Sequence, residues 1–292
     1  MKRNECISPG QIIKAYVYGD TIELSTSNLK QKQSILVLPN HRYVVLSTGE
    51  IKKMKLSGNN RVSNLSSVKR TMKNLRRLIT ANFTGGDDQL WITLTYANNV
   101  SAHHASDTQI VYRDFKVMMQ RIRKQIGNVE YIAVLEPQCS GRWHLHVLMK
   151  SRDGSDLYIP NTQMAKLWSK GFTKTKRLSD QDNIAAYVMS YVSNLKIDDG
   201  SSKRNVKGAR LYLYPKGARI YRRSKGIKDP LTLISTKISL AKRFKLDESE
   251  RRASYEQTFM TRSGKKIITQ TEFYNRKEKP HGVKSNSDKK RT

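Results

Sequence analysis

Two histidines stand two residues apart in Arg142-Trp143-His144-Leu145-His146-Val147-Leu148-Met149, a short apolar stretch behind the turn signal Ser140-Gly141. Such a stretch predicts a β-strand, and in a strand residues two apart point to the same face. Side-by-side imidazoles can grip one divalent metal ion and leave further ligand positions open. Glu136 lies eight residues before His144, with Pro137 to Trp143 between them. A hairpin centred on Ser140 sets Glu136 across from His144 and Val134 across from His146. One carboxylate facing two histidines makes a half-open site that suits Mg²⁺ or Mn²⁺ bound to a substrate phosphate. No fourth protein ligand of a closed zinc site is evident. An isolated His-x-His pair is more often packed in a core than bound to metal; the company of Glu136 and of two further blocks reverses those odds.

Tyr187 and Tyr191 are the second chemical pair. They stand four residues apart, so they share a face of a helix that Ser179 or Asp180 caps and that runs to about Lys196. Ile184, Val188 and Leu195 lie on that face, with Tyr191 nearer the middle of the apolar stripe and Tyr187 at its edge. Taken alone, the pattern describes core aromatics. Beside a metal site it describes nucleophiles. A tyrosine oxygen attacks a DNA phosphorus atom, the 3′-OH leaves, and a 5′-phosphotyrosine link keeps the bond energy for rejoining. A second tyrosine within reach can cut again and accept the strand.

Several elements must position these groups. Leu90 to Tyr96 alternates apolar residues with threonines and predicts a strand, as does Val129 to Leu135. Between them, residues 107–126 predict an amphipathic helix with Ile110, Phe115, Met118, Met119 and Ile122 on or near one stripe. Ser63 to Ala81 predicts a basic helix whose Lys69, Arg70, Lys73, Arg76 and Arg77 are free to face phosphates or solvent. A short helix is expected near 162–168. Residues 1 to about 60 are β-rich, with strands at Ser34–Leu38 and Tyr43–Leu46 around Pro39-Asn40. Residues 201–230 are basic and loop-rich, and Ser254 to Asn275 predicts a hairpin turning at Ser263-Gly264. Residues 276–292 hold seven Lys and Arg against two acidic side chains. That composition predicts a disordered tail.

Lys plus Arg number 55 against 24 acidic residues in a chain of 292, a formal charge of +31. Such an excess favours a polyanionic partner, and nucleic acid is the commonest. Cys6 and Cys139 form no CxxC pair, so neither a disulfide framework nor a thiolate zinc site is expected, and a reducing compartment fits. No run approaches the length of a membrane span, and the residues after Met1 lead into no secretory segment. The expectation is a cytoplasmic protein of a bacterial host cell.

The three blocks in this order resemble the HUH endonuclease superfamily, in particular the two-tyrosine rolling-circle replication initiators of bacterial plasmids and phages. Trp91-Ile92-Thr93-Leu94-Thr95-Tyr96 resembles the family's first motif, a structural strand beside the site. Glu136 with His144-Leu145-His146 resembles the metal motif, and Tyr187-Val188-Met189-Ser190-Tyr191 the nucleophile helix. The resemblance covers residues from about 60 to 230. It implies an α+β fold, a central antiparallel sheet of about five strands with packed helices as in RNA-recognition-type domains. It also implies four segments: a β-rich N-terminal part over 1–60, the endonuclease domain over 61–230, an extension with a hairpin over 231–275, and the basic tail 276–292. Many relatives carry a lysine three residues after the first tyrosine, where Ser190 stands here. No third histidine of the relaxase branch is found, and no GxxxxGK[ST] loop occurs, so strand separation falls to a host helicase.

The function implied is site-specific nicking and rejoining of single-stranded origin DNA, dependent on Mg²⁺ or Mn²⁺, with Tyr187 and Tyr191 as nucleophiles. Lys203, Arg204, Arg210, Tyr221, Arg222, Arg223 and Lys225 are the candidates for origin binding, and Tyr221 and Trp168 for stacking on exposed bases. Two other readings stay open: a non-catalytic origin-binding protein or repressor on the same scaffold, and an HUH-type transposase. The oligomeric state is not legible.

Overall fold

The computed structural model describes residues 7–26, 35–40, 42–54, 65–138, 140–178, 213–215, 217–260, 264 and 266–275. Within them the chain forms two compact units. One comprises Val37–Tyr43 and Ile51–Asp229, the other Met1–Leu36, Val44–Glu50 and Pro230–Thr292.

The larger unit is built on five strands. Gly86–Thr95, Val129–Pro137, Trp143–Ser151, Thr173–Leu178 and Tyr221–Arg223 are called β6, β7, β8, β9 and β10. Their order is β10-β7-β8-β6-β9, and every pairing is antiparallel. The α+β class and the five-stranded antiparallel sheet are those expected from the sequence.

Burial explains the order. Strands β7 and β8 are buried along almost their whole length and lie at the centre. Strand β9 alternates half-buried threonines with exposed lysines and lies at the edge. Helix α1, Leu65–Asn82, contributes Val68, Met72, Leu75, Leu78 and Ile79 to the core. Arg77, expected on a basic outer face, is 7% exposed.

Asn82 ends α1 by donating to the carbonyl of Lys228 and accepting from its N–H, 2.8 and 2.9 Å away. Helix α2, Ala102–Ser106, follows β6 and is not apparent from patterning. Helix α3, Thr108–Gln125, starts where the Asp107 carboxylate accepts from the N–H groups of Gln109 and Ile110. A side-chain acceptor there satisfies donors that the first helical turn leaves open. Its buried stripe is Val111, Tyr112, Phe115, Met118, Met119 and Ile122, with Ile110 half-buried beside it. Helix α4 is Asn161–Trp168.

The second unit joins distant segments. Strands β1 (Ile12–Tyr18), β2 (Thr21–Ser25), β11 (Leu231–Thr236), β12 (Arg251–Met260) and β13 (Lys266–Asn275) form a sheet in the order β11-β1-β2-β13-β12. Strands from the segments 1–60 and 231–275 therefore share one sheet. Its core holds Ile13, Ala15, Ile22, Leu24 and Tyr274, together with Leu240 of helix α5, Lys237–Phe244. The Glu272 carboxylate is buried there and accepts from Lys237 Nζ and from the Ile7 N–H. A buried carboxylate needs such partners, since an unpaired one would be costly. Strands β3 (Ile35–Leu38), β4 (Arg42–Val45) and β5 (Ile51–Lys53) make a small three-stranded sheet. Among the described residues no helix is long and apolar enough to cross a membrane.

Candidate functional site

The β7–β8 hairpin sets the geometry of the candidate ligands. Gln138 N–H donates to the Arg142 carbonyl at 2.7 Å and Gly141 N–H to the Gln138 carbonyl at 3.0 Å. Gly141 sits at φ +79°, where a residue without Cβ is favoured. Arg142 leaves the turn to donate to the carbonyls of Ala97 and Val100 at 2.6 and 3.1 Å, which ties the hairpin to the end of β6. The register that follows pairs Glu136 with His144 and Val134 with His146, as the sequence spacing predicts.

On the other side of β8, β6 pairs Thr95 with His144 and Thr93 with His146. Directly opposed residues project to the same face of a sheet. Glu136, His144, His146, Thr93 and Thr95 therefore share one face. Helix α3 covers the opposite one, with Phe115 edge-on to Tyr131 at 5.0 Å.

His146 is 5% exposed and held from three sides. Its Nε2 lies 2.5 Å from Glu136 Oε2, its Nδ1 lies 3.4 Å from Thr93 Oγ1, and its ring stacks on Trp91 with centroids 5.3 Å apart. The strand Trp91 to Thr95 thus fixes the ring plane of His146. The half-buried His144 ring is edge-on to His146, with a centroid separation of 6.4 Å.

One carboxylate oxygen with imidazole nitrogens is a donor set that fits a divalent ion such as Mn²⁺ or Mg²⁺. In this structure, however, Glu136 and His146 are joined to each other. Among the described residues no group of three or more His, Cys, Asp or Glu side chains is gathered to hold an ion. Ion binding would exchange the Glu136–His146 hydrogen bond for bonds to the metal.

With this geometry in hand, comparison with known proteins gives one result. Residues 89–196 match the family model of the replication-associated protein ORF2. The match associates the chain with replication. It covers rather more than a third of the 292 residues, beginning in β6, taking in Glu136, His144 and His146, and ending beyond Tyr191. No curated protein and no solved structure matches the chain.

Within the matched segment, Tyr187 and Tyr191 lie outside the described residues, as do Lys203, Arg204 and Arg210 beyond it. Trp168 is not a stacking surface. It is 2% exposed, its indole N–H donates to the Thr95 carbonyl at 3.1 Å, and its ring packs on Tyr96.

Tyr221 is half-buried in β10 opposite Val134, in the sheet row that leads to His146, and burial pushes its hydroxyl pKa up. Arg222 lies over the Tyr112 ring, 3.9 Å from its centroid, a packed cation rather than a free one. Arg223 donates to both Asp229 oxygens at 2.8 and 2.9 Å, and those bonds push its pKa further up. Lys225 is exposed in the following turn.

Sequence reasoning missed a second polar cluster. Tyr96 O–H donates to Asp114 Oδ2 at 2.9 Å, and His104 Nε2 lies 2.6 Å from the same oxygen. Burial first, then the Asp114 hydrogen bond, holds the Tyr96 hydroxyl far above the usual tyrosine range. It is a donor that anchors the segment after β6, not a nucleophile. The available signal was Ser101, which caps α2 and so aims His104.

Proposed function

We propose that this chain is a site-specific single-strand DNA nickase and rejoining enzyme that starts rolling-circle replication. The observation that carries the reading is the Glu136–His146 pair. It sits 2.5 Å apart on one sheet face beside His144, inside a segment that matches a replication-associated family. The alternation of Thr93 and Thr95 with buried apolar residues puts a hydroxyl row beside that pair.

In this reading Tyr187, at the edge of its apolar stripe, is the first nucleophile. Its oxygen bonds to the scissile phosphorus, the P–O3′ bond breaks, and the 3′ oxygen leaves as a hydroxyl after taking a proton. Tyr191 is the second nucleophile, able to cut again and receive the strand. Glu136, His144 and His146 would hold Mg²⁺ or Mn²⁺, whose role when bound is to polarise the scissile phosphate. Lys203, Arg204, Arg210, Tyr221 and Lys225 are proposed to bind origin DNA, and a host helicase to separate its strands.

The test incubates purified protein with single-stranded circular DNA of its own replicon and Mn²⁺ or Mg²⁺, then resolves products on a denaturing protein gel. A nuclease-sensitive shifted band is expected. It should vanish with EDTA and in the Tyr187→Phe, Tyr191→Phe double variant. Retained binding with no covalent band under either metal would replace this reading by a non-catalytic origin-binding protein. One observation favours that second reading: Glu136 and His146 are satisfied by each other, with no three-ligand group among the described residues.

A separate expectation concerns Thr93. Residues that orient a ligand histidine change metal affinity by about 10- to 100-fold when removed. Thr93→Val keeps the side-chain shape and deletes the hydroxyl facing His146 Nδ1, so Mn²⁺ affinity by titration calorimetry should fall by roughly tenfold. An unchanged affinity would show that Thr93 does not steer the ring.

A further inference from the structure

The row of residues beside the Glu136–His146 pair continues past β6 onto the sheet edge. Thr93 pairs with Lys174 and Trp91 with Lys176, so both lysines of β9 project to the face that carries His146. The Thr95 N–H donates to the Phe172 carbonyl at 2.9 Å, extending the pairing by one step. Strand alternation then puts Phe172 on that same face, in the row of Glu136, His144 and Thr95.

Phe172 is 69% exposed, among the largest exposures of any apolar side chain described. Lys174 and Lys176 are exposed, and neither forms an ion pair among the described residues. The cation on the other face of this strand behaves differently. Arg177 is offset by Asp87 at 2.5 Å and Asp156 at 3.0 Å. The strand therefore neutralises its positive charge on one face and leaves it open on the face shared with the candidate site.

We propose that Phe172, Lys174 and Lys176 form a single-stranded DNA platform that feeds the face carrying Glu136 and His146, with Phe172 stacking on a base and the lysines contacting phosphates. The inference rests on the nickase reading for what happens to the strand, but not for its binding. An exposed aromatic beside a cationic track is what a single strand requires, because every base has a face to stack and every linkage a charge. Two strand spacings, about 10 Å, separate β9 from β8, so a strand held at Lys174 passes within a few ångströms of the candidate ligands. The competing account is that lysines on an edge strand merely discourage edge-to-edge association.

The experiment is an anisotropy titration of full-length protein against a fluorescein-labelled oligothymidylate, over a range of salt concentrations, with a labelled duplex in parallel. For Lys174→Ala, Lys176→Ala the slope of log affinity on log salt should shrink by about 1.4, since each single-strand phosphate contact contributes roughly 0.7. Phe172→Ala should bind the single strand about 5- to 100-fold more weakly with an unchanged slope, and the duplex as wild type does.

Wild-type affinity and slope in both variants, with unaltered circular dichroism and melting, would overturn the proposal. So would a lysine variant that aggregates while its monomer binds normally, or a Phe172→Ala loss equal for duplex and single strand. The adduct assay separates this inference from the reading beneath it. An adduct formed by wild type, with binding unchanged in the variants, removes the platform alone. No adduct, with binding weakened in the variants, removes the nickase and leaves the platform.

Discussion

Glu136→Gln is expected to cut metal-dependent nicking on the order of 100- to 1000-fold while single-strand binding stays equal or tightens. The substitution keeps volume and shape at a half-buried position, so the Trp91 and Thr93 contacts to His146 are not disturbed. What disappears is a negative charge. If a divalent ion sits there, its strongest oxygen donor is lost and the scissile phosphate is no longer polarised. Binding of a polyanion moves the other way, because one like charge has left a face that must approach phosphates. Gel-resolved nicking rates across a Mn²⁺ titration, paired with anisotropy on the same protein, read both quantities. A structural role for Glu136 would lower the two together; undiminished nicking would remove it from the ligand set.

Gly171→Ala should carry the largest cost to stability. Gly171 sits at φ +154°, and a Cβ built there would stand 2.3 Å from the Thr95 carbonyl oxygen and 2.3 Å from the Ala97 nitrogen. Both are backbone atoms at the end of β6, held by the Thr95–Phe172 and Ala97–Lys170 hydrogen bonds. Neither can swing aside as a side chain would. The added methyl must therefore part β6 from the chain entering β9, at a cost of about 3 kcal/mol or more. For a unit of this size that lowers the melting temperature by roughly 6 to 12 °C.

Gly127→Ala is the control, since φ is +120° there but nothing stands within 4 Å of the added carbon. It should lose about 1 kcal/mol, the cost of backbone strain alone. Equal losses in the two variants, by thermal or urea melts, would show that the close approach at Gly171 does not matter. Because Phe172 follows directly, Gly171→Ala should also weaken oligothymidylate binding.

The contrast between β8 and β9 shows what the sequence makes legible. Glu136 and His144 are eight residues apart across a tight turn. A hairpin register depends on that local count and on alternation, both readable in one dimension. Helix α3 is readable for the same reason, since its stripe repeats at the helical period.

Strand β9 is not readable, because Thr173-Lys174-Thr175-Lys176-Arg177 contains no apolar residue. Its strand state comes from pairing with β6, not from its own composition. Strand β10, only three residues long, hides in a basic stretch for the same cause. Trp168 misleads in the opposite direction. A tryptophan closing a helix in a basic protein invites a stacking role, but a buried indole also needs an acceptor, and Thr95 supplies one. The nucleophile pair Tyr187 and Tyr191 rests on spacing and resemblance, since both lie outside the described residues.

The sheet formed by β1, β2, β11, β12 and β13 has a consequence for biosynthesis. Its first hairpin, Ile12–Ser25, meets β11 at Leu231 and β13 only from Thr271 onward. Everything between is devoted largely to the other unit, which is essentially contiguous from Ile51 to Asp229. On the ribosome, the segment that holds Glu136 and His146 can complete its contacts while the early hairpin still waits for partners more than 200 residues downstream. Chains released early would thus carry a finished central sheet and an orphaned first hairpin, its pairing edges open to other chains.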